Sequence, residues 1–436
     1  MLYYRLVGII ILSLLLLVID FYVFQAIKVV FDDRNATSTK IIYWTYWILN
    51  AITLAGIFAY NLLPRNGLTL TITRFMLVWA FLFYLSKIFT VFFVIIDDLV
   101  RFGEWAYYKI MGFPVKENIA NTAIHPNPQL IYNETDSEQI TRSEFLNKAG
   151  LIAGAAPLFL SSYGILSGAH DYQVHRKTLY LPNLPKSFDG LRFAQLSDIH
   201  SGSFFNKVAV KGGVEMLLKE KPDVIFFTGD LVNNVASEMK EYVDIFNKLK
   251  APLGIYSTLG NHDYGDYVIW DSEQAKRKNL EDLKITHQQM GWNLLMNESK
   301  YLEQSGDKIA ILGIENWSAK GRFPKYGSLE NAYKNTKEAS TKILLSHDPS
   351  HWRAEVLDQY KDIDLMLAGH THGMQFGIEI GNFRWSPVQY FYDEWADLYT
   401  EGKQHLYVNR GFGYIGYPGR IGILPEITIF ELKKAS

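Results

Sequence analysis

The chain has 436 residues, enough for more than one domain. Its formal net charge of −2 argues against nucleic acid as a partner, and the absence of cysteine excludes disulfides, thiolate metal sites and cysteine nucleophiles. Hydrophobic residues make up 48% and aromatics 15%, an average that conceals two unlike halves.

The first half reads as membrane. Leu6 to Ile27 carries one charged residue, Asp20, and is bounded by Arg5 and Lys28. Ile41 to Leu63 has none, and a third apolar stretch from Phe75 to Ile96 holds only Lys87. Each reaches the roughly 20 residues that a helix needs to cross a bilayer core. Tyr43, Trp44, Tyr46 and Trp47 cluster at one end of the second stretch, as interfacial aromatic belts do. No Ala-x-Ala-like cleavage site follows the first stretch before Asp32, so it reads as a span rather than a removed signal. Asp20 and Lys87 are read as lying near span ends or snorkelling, with a buried pair or a ligand contact as the alternative, and stay outside the candidate site. From Gly112 to Gln139 the chain is polar, with Pro114, Pro126 and Pro128, and reads as a linker. A soft apolar run rich in Gly and Ala then follows Thr141, and Ala149 to Ser167 is expected to be a fourth span. The expected division is three transmembrane helices in 1–104, a polar linker in 105–148, a fourth apolar segment in 149–170 and a soluble domain in 171–436.

In that last part short apolar runs alternate with amphipathic polar stretches, and five runs end in Asp, His or Asn. LRFAQLSDIH ends in Asp198 and His200, and PDVIFFTGD in Asp230. PLGIYSTLGNHD ends in Asn261, His262 and Asp263, KILLSHD contains His347, and IDLMLAGHTH ends in His370 and His372. Helices are expected between them, among them Val208 to Lys219 and Met239 to Leu249. Buried strands separated by helices imply an α/β layered fold, whose sites gather outside the carboxyl ends of the strands. All five clusters fall there, so they converge. Seven oxygen and imidazole donors without sulfur suit borderline divalent ions such as Mn, Fe, Zn or Ni. They are too many for one open catalytic ion and fit two, roughly 3.5–4 Å apart, sharing a carboxylate. Such a pair clamps a phosphoryl oxygen and holds a deprotonated water as nucleophile, and a further histidine can protonate the leaving group.

These blocks resemble the calcineurin-like metallophosphoesterase superfamily, whose pattern is Asp-x-His, Gly-Asp, Gly-Asn-His-Asp/Glu, a single His, then Gly-His-x-His. They stand in order as Asp198-Ile-His200, Gly229-Asp230, Gly260-Asn261-His262-Asp263, His347 and Gly369-His370-Thr371-His372. The resemblance covers Leu179 to Leu432, ending in the strand-like PEITIFEL. It implies a four-layer fold, a β-sandwich flanked by helices, behind the helical transmembrane region. It also implies one metal held by Asp198, His200, Asp230 and His372, and a second held by Asp230, Asn261, His347 and His370. His262 is then the non-ligand histidine near the scissile phosphate, and Asp263 the carboxylate that orients it. SDIHSGSF and GHTHGMQFG resemble the membrane-anchored bacterial group of phosphodiesterases and phosphatases, some of whose relatives cleave the pyrophosphate of UDP-linked acylated sugars.

The stretch from Asn382 to Gly402 is unusually aromatic. Trp385, Tyr390, Phe391, Tyr392 and Trp395 read either as a lid or membrane-facing lip for a lipid substrate, or as core packing. Arg410 and Arg420 read as surface or structural residues, with phosphate contact as the alternative. Thr141 to Asn147 resembles a twin-arginine export signal in which Ser143 replaces the second arginine. Of the basic residues flanking the spans, Arg5, Arg65 and Arg74 lie on one side. Lys28, Arg34, Lys40, Arg101, Lys109, Lys116, Arg142 and Lys148 lie on the other. The positive-inside rule makes the second set cytoplasmic and, after a fourth crossing, puts the soluble domain outside.

The expectation is therefore a multi-pass protein of a bacterial inner membrane with an extracytoplasmic two-metal phosphoesterase. It would act on a phosphorylated small molecule or a lipid-linked or envelope substrate. The alternatives are a cytoplasmic-face UDP-acyl-sugar pyrophosphatase and a membrane receptor or scaffold that uses the domain for binding.

Overall fold

The computed structural model describes residues 2–31, 36–63, 67–111, 141–381 and 383–435. Two units follow one another, Met1–Ser161 and Ser162–Ser436.

The first unit is helical: α1 (Leu2–Phe31), α2 (Ala36–Leu62), α3 (Gly67–Met111) and most of α4 (Arg142–Leu166). All four are long and apolar enough to cross a membrane. Helix α3 continues past the expected start of the linker at 105, while 112–140, with its three prolines, and Arg34, Arg65 and Lys116 lie outside the described residues. Helices α3 and α4 approach closely because Gly150 and Gly154 face Thr90 and Ser86. The Thr90 hydroxyl donates to the Gly150 carbonyl at 3.0 Å, and the Ser86 hydroxyl to that of Gly154.

Asp20 and Lys87 do not snorkel. The Lys87 ammonium donates to Asp20 Oδ1 and to the side-chain oxygen of Asn50. Tyr84 donates to Asp20 Oδ2 at 3.1 Å and Tyr46 to the Asp20 carbonyl at 2.7 Å. Both charged groups are buried. At membrane depth a lone charge is costly, so each supplies the other's partner, and α1, α2 and α3 are tied by one polar cluster.

The second unit opens with β1 (Gln173–Leu181), β2 (Arg192–Leu196), β3 (Val224–Phe227), β4 (Ile255–Ser257) and β5 (Asn293–Leu294). Then come β6 (Glu298–Gln304), β7 (Asp307–Gly313), β8 (Thr341–Leu345) and β9 (Leu365–Ala368). A hairpin of β10 (Ile378–Ile380) and β11 (Phe383–Trp385) precedes β12 (Asp397–Glu401), β13 (Gln404–Val408) and β14 (Glu426–Lys434). One sheet runs β1-β14-β2-β3-β4-β5 and the other β12-β13-β9-β8-β7-β6. Within them β2 to β5 are mutually parallel, as are β7, β8, β9 and β13.

Alternation along these strands builds the layers. Phe193, Phe226, Ile309, Ile311, Ile343 and Leu365 point between the sheets. Their neighbours Ala194, Ile225 and Phe227 face outward under α5 (Lys207–Lys219), while Ala310, Leu344 and Met366 do so on the second sheet. Helix, sheet, sheet and helix make the expected four-layer sandwich. The expected helix at Met239 to Leu249 is shorter, a 3₁₀ segment Ala236–Glu241 followed by α6 (Val243–Phe246). PEITIFEL forms β14, which lies inside the first sheet between β1 and β2 rather than at its edge.

Arg410 is buried with its guanidinium 2.6 Å from Glu426 and 2.7 Å from Glu379. Arg420 donates to the carbonyls of Arg410, Gly413 and Ile423. Both arginines are structural. Burial would raise the Glu426 carboxyl, but Arg410 outweighs it and holds the group down at about 2. A depressed carboxyl stabilises the fold above its unfolded value and loses that contribution as pH falls through the folded one. The Glu426 share of stability is thus expected to disappear between about pH 4.5 and about 2. Glu426→Gln should remove about 3 kcal/mol at neutral pH, read by denaturant unfolding of the detergent-solubilised protein.

Candidate metal centre

Each candidate ligand sits just past the carboxyl end of a parallel strand. Asp198 and His200 follow β2, Asp230 follows β3, and Asn261 and His262 follow β4. On the second sheet His347 follows β8, and His370 and His372 follow β9. The turns that re-aim these side chains are tight. Asp198, His200, Asp230, His370 and His372 all adopt positive φ, between 48° and 71°, a region non-glycine residues rarely occupy. Gly229, at φ 101°, lets the chain turn beside Gly260 and the His347 ring without a side chain in the way. Strain of this kind persists only where the surroundings over-determine it, and two buried cores hold these loops.

The ligand atoms form two groups. Asp198, His200 and His372 are one, and Asp230, His347 and His370 the other. His200 Nε2 lies 3.0 Å from His372 Nε2, and His372 Nε2 lies 3.2 Å from Asp198 Oδ1. Asp230 stands between the groups, its Oδ2 3.0 Å from His347 Nε2 and 3.5 Å from His200 Nε2. Its Oδ1 accepts the His262 backbone N–H at 2.8 Å, which leaves Oδ2 to the imidazoles. His347 Nδ1 is 2.7 Å from the Thr228 carbonyl, which fixes the ring with Nε2 toward Asp230. His370 turns Nε2 to the Tyr392 hydroxyl at 3.0 Å, and that hydroxyl donates to Asp348 Oδ2 at 3.1 Å.

These residues fit two cations. Imidazole nitrogens and carboxylate oxygens aim at common centres from separate loops, in a chemistry that suits borderline divalent ions. The Asn261 side-chain oxygen is buried without a hydrogen-bond partner, while its amide donates to Tyr267 at 2.8 Å. An orphaned buried oxygen aimed into such a cluster is what a ligand position predicts.

Proton affinities of the protein groups follow the same logic. Burial would raise Asp198 and Asp230, but the surrounding imidazoles overcome it and hold both below the usual carboxylate range. Burial pushes His200 and His370 down. His347, where burial is outweighed by Asp230 and Asp198, is pushed up to about 10. The site keeps its carboxylates ionised and recruits positive charge, by protons or by metal.

Asp263 departs from its expected role. Its carboxylate accepts the backbone N–H groups of Asp230, Leu231, Val232 and Gly260, at 2.8 to 3.2 Å, and so ties the loops after β3 and β4. His262 is oriented instead by the Asn233 carbonyl, 2.7 Å from Nδ1. Its other nitrogen is left for the cavity of about 240 Å³ that it lines together with His200, Asp230, Arg322, Phe323 and Tyr392. Of the aromatic stretch, Tyr392 and Trp395 are buried, as core packing predicts, whereas Tyr390 and Phe391 are exposed. Tyr392, Asp348, Tyr267 and Arg322 are site neighbours that sequence reading did not assign to the metals. Only Asp348, adjacent to His347, lies where a motif points.

A family model described as calcineurin-like phosphoesterase matches residues 191–374. A second, described as probable calcineurin-like phosphoesterase, transmembrane domain, matches 5–169. The chain is 32% identical over 285 residues to a zebrafish (Danio rerio) transmembrane protein with metallophosphoesterase domain, covering 63% of this chain and 61% of that protein. It thus spans less than two thirds of that relative's length. It is 29% identical over 306 residues to the Bacillus subtilis metallophosphoesterase YkuE, covering 69% of this chain and all of that protein.

Because Asp230 lies between the two groups, Asp230→Asn is expected to weaken both. Elemental analysis of the purified protein after manganese loading should give about two ions per chain for wild type and fewer than one for the variant.

Proposed function

This chain belongs to the calcineurin-like metallophosphoesterases, and from that membership we propose that it is a membrane-anchored two-metal phosphoesterase that hydrolyses phosphoester or pyrophosphate bonds of a lipid-linked or envelope substrate. The observation that carries the reading is the pair of ligand groups on either side of Asp230, at the floor of a cavity that also holds His262. When bound, two divalent cations supply polarisation of a phosphoryl oxygen and acidification of an attacking water. Asp198, His200, Asp230 and His372 would hold one, and Asp230, Asn261, His347 and His370 the other.

The chain's own residues then divide the remaining work. His262, held through Nδ1 by the Asn233 carbonyl, presents Nε2 to the cavity and donates a proton to the leaving oxygen. Asp263 keeps the loops after β3 and β4 in register, so that Asp230 and His262 stay at working distance. Arg322 lines the cavity and meets non-bridging phosphoryl oxygens of substrate. Tyr392 and Asp348 hold the His370 ring.

Loss of Asp230 should lower kcat/KM by about 10³-fold or more toward an aryl phosphodiester with Mn²⁺. His262→Ala should cost about 10²- to 10⁴-fold on an alkyl phosphodiester, whose leaving oxygen needs a proton, and far less on a p-nitrophenyl ester, whose leaving group does not. Turnover of neither ester by the manganese-loaded protein, with Asp230→Asn indistinguishable from wild type, would sink the proposal.

We place the catalytic unit on the outer face of a bacterial inner membrane. Four helices long and apolar enough to span, together with the basic residues flanking them, support that side. An alkaline phosphatase fused after Gly168 is expected to be active and a green fluorescent protein there to be dark. The reverse result places the metals in the cytosol.

A further inference from the structure

The hairpin β10–β11 is amphipathic in the wrong sense for a soluble domain. Across it Ile378 faces Trp385 and Ile380 faces Phe383, so these four share one face, while Glu379 and Arg384 share the other. The polar face is the one fastened to the domain. Glu379 pairs with buried Arg410 at 2.7 Å, and Arg384 pairs with Asp397 at 2.9 Å and donates to the Ala396 carbonyl at 3.1 Å. The apolar face is turned out: Ile380 is 73% exposed, Phe383 60% and Ile378 46%. A contiguous apolar face turned outward in this way is the mark of an interaction surface.

Three observations identify what covers it. In the chain the hairpin joins two cavity-lining segments, Thr371 to Met374 and Val388 to Tyr392, and in the second of these Phe391 and its neighbour Tyr390 are also exposed. Beside these two stand Lys320 and Arg322, lining a second cavity with Tyr390, and neither stands in an ion pair among the described residues. Apolar and aromatic side chains flanked by cations that stack on rings, Lys320 on Tyr392 and Arg322 on Phe323, rather than pair with carboxylates are the composition of a surface that lies in a membrane interface and meets anionic headgroups. Finally, within the second unit, the last turn of α4 (residues 162–166) packs against this edge. The Arg420 backbone donates to the Gly164 carbonyl in the last turn of α4, at 3.1 Å. The next residue, Ile421, pairs with Gln375 and Gly377, at 2.7 and 2.9 Å, immediately before the hairpin.

We propose that the outward face of the β10–β11 hairpin, with the Tyr390–Phe391 turn, docks into the interfacial layer of the bilayer and sets the mouth of the metal site at headgroup level. The occupant is lipid, not a second protein. The docking is distinct from catalysis and stands or falls without it.

The absence of cysteine makes the test direct. In the full chain, Ile380→Cys and Phe383→Cys are labelled with an environment-sensitive fluorophore. The proteins are reconstituted in phosphatidylcholine–phosphatidylglycerol vesicles with or without brominated acyl chains. Ser305→Cys, in the β6–β7 turn at the opposite ends of the strands, is the control. Docking predicts blue-shifted emission at 380 and 383 and loss of most of it in brominated vesicles, with the control quenched only by aqueous iodide. Probes at 380 and 383 that respond to iodide and not to brominated lipid overturn the proposal. So do probes shielded from both, which would mean that a second copy or another protein covers the face. A catalytically dead chain that still shows lipid quenching leaves the docking intact while removing the phosphoesterase reading.

Discussion

The two oxygens of the Asp230 carboxylate have different tasks, and the geometry of the centre follows from keeping them apart. Oδ1 is committed to the His262 backbone N–H, so Oδ2 alone is left to face imidazoles from both ligand groups. That division holds only if the loops after β3 and β4 stay in fixed register, and Asp263 fixes it by accepting four backbone N–H groups from the two. A buried carboxylate with so many donors is an expensive element unless fully satisfied. Here satisfaction of one carboxylate is what frees the other to face imidazoles of both candidate ligand groups.

The sandwich explains why such a site exists where it does. Parallel strands deliver their carboxyl ends to one edge, and both sheets do so at the same edge: β2, β3 and β4 from one, β8 and β9 from the other. Donors from five loops then meet without any loop having to be long. The left-handed backbone of five ligand residues is the local cost of turning sharply after each strand. It is offset by the strands themselves, whose side chains are buried on both faces.

What the sequence discloses follows from this construction. The five blocks were legible because each ligand comes directly after an apolar run, so residue type and strand end coincide. The four layers were legible because buried strands alternate with amphipathic helices. Other features left no such trace. The group that orients His262 is a backbone carbonyl, that of Asn233, and a carbonyl has no residue-type signal. Asp263 stands next to His262 in the chain, but its side chain turns to the backbone of neighbouring loops. The Asp20–Lys87 pair joins residues 67 apart, and whether two polar groups meet inside a helix bundle depends on the rotation of each helix, which composition does not set. Strands of three residues, as in β10 and β11, are too short for an alternating pattern to announce which face is which.

That last feature bears on what four spans can and cannot do. Anchoring raises the concentration of the catalytic unit near the bilayer by confining it to a thin shell, an effect set by the length and stiffness of the connection. Confinement does not decide which side of the domain meets the lipid. The cavity of about 240 Å³ beside the ligand groups is open to the surface, so a substrate larger than it would extend past its mouth. The β10–β11 hairpin has its polar face pinned by Arg410 and Asp397, so the side it turns out is apolar. The buried ion pairs of the domain thereby act at its surface. By holding Glu379 and Arg384 inside, they leave Ile380 and Phe383 no place to be buried except in another apolar phase.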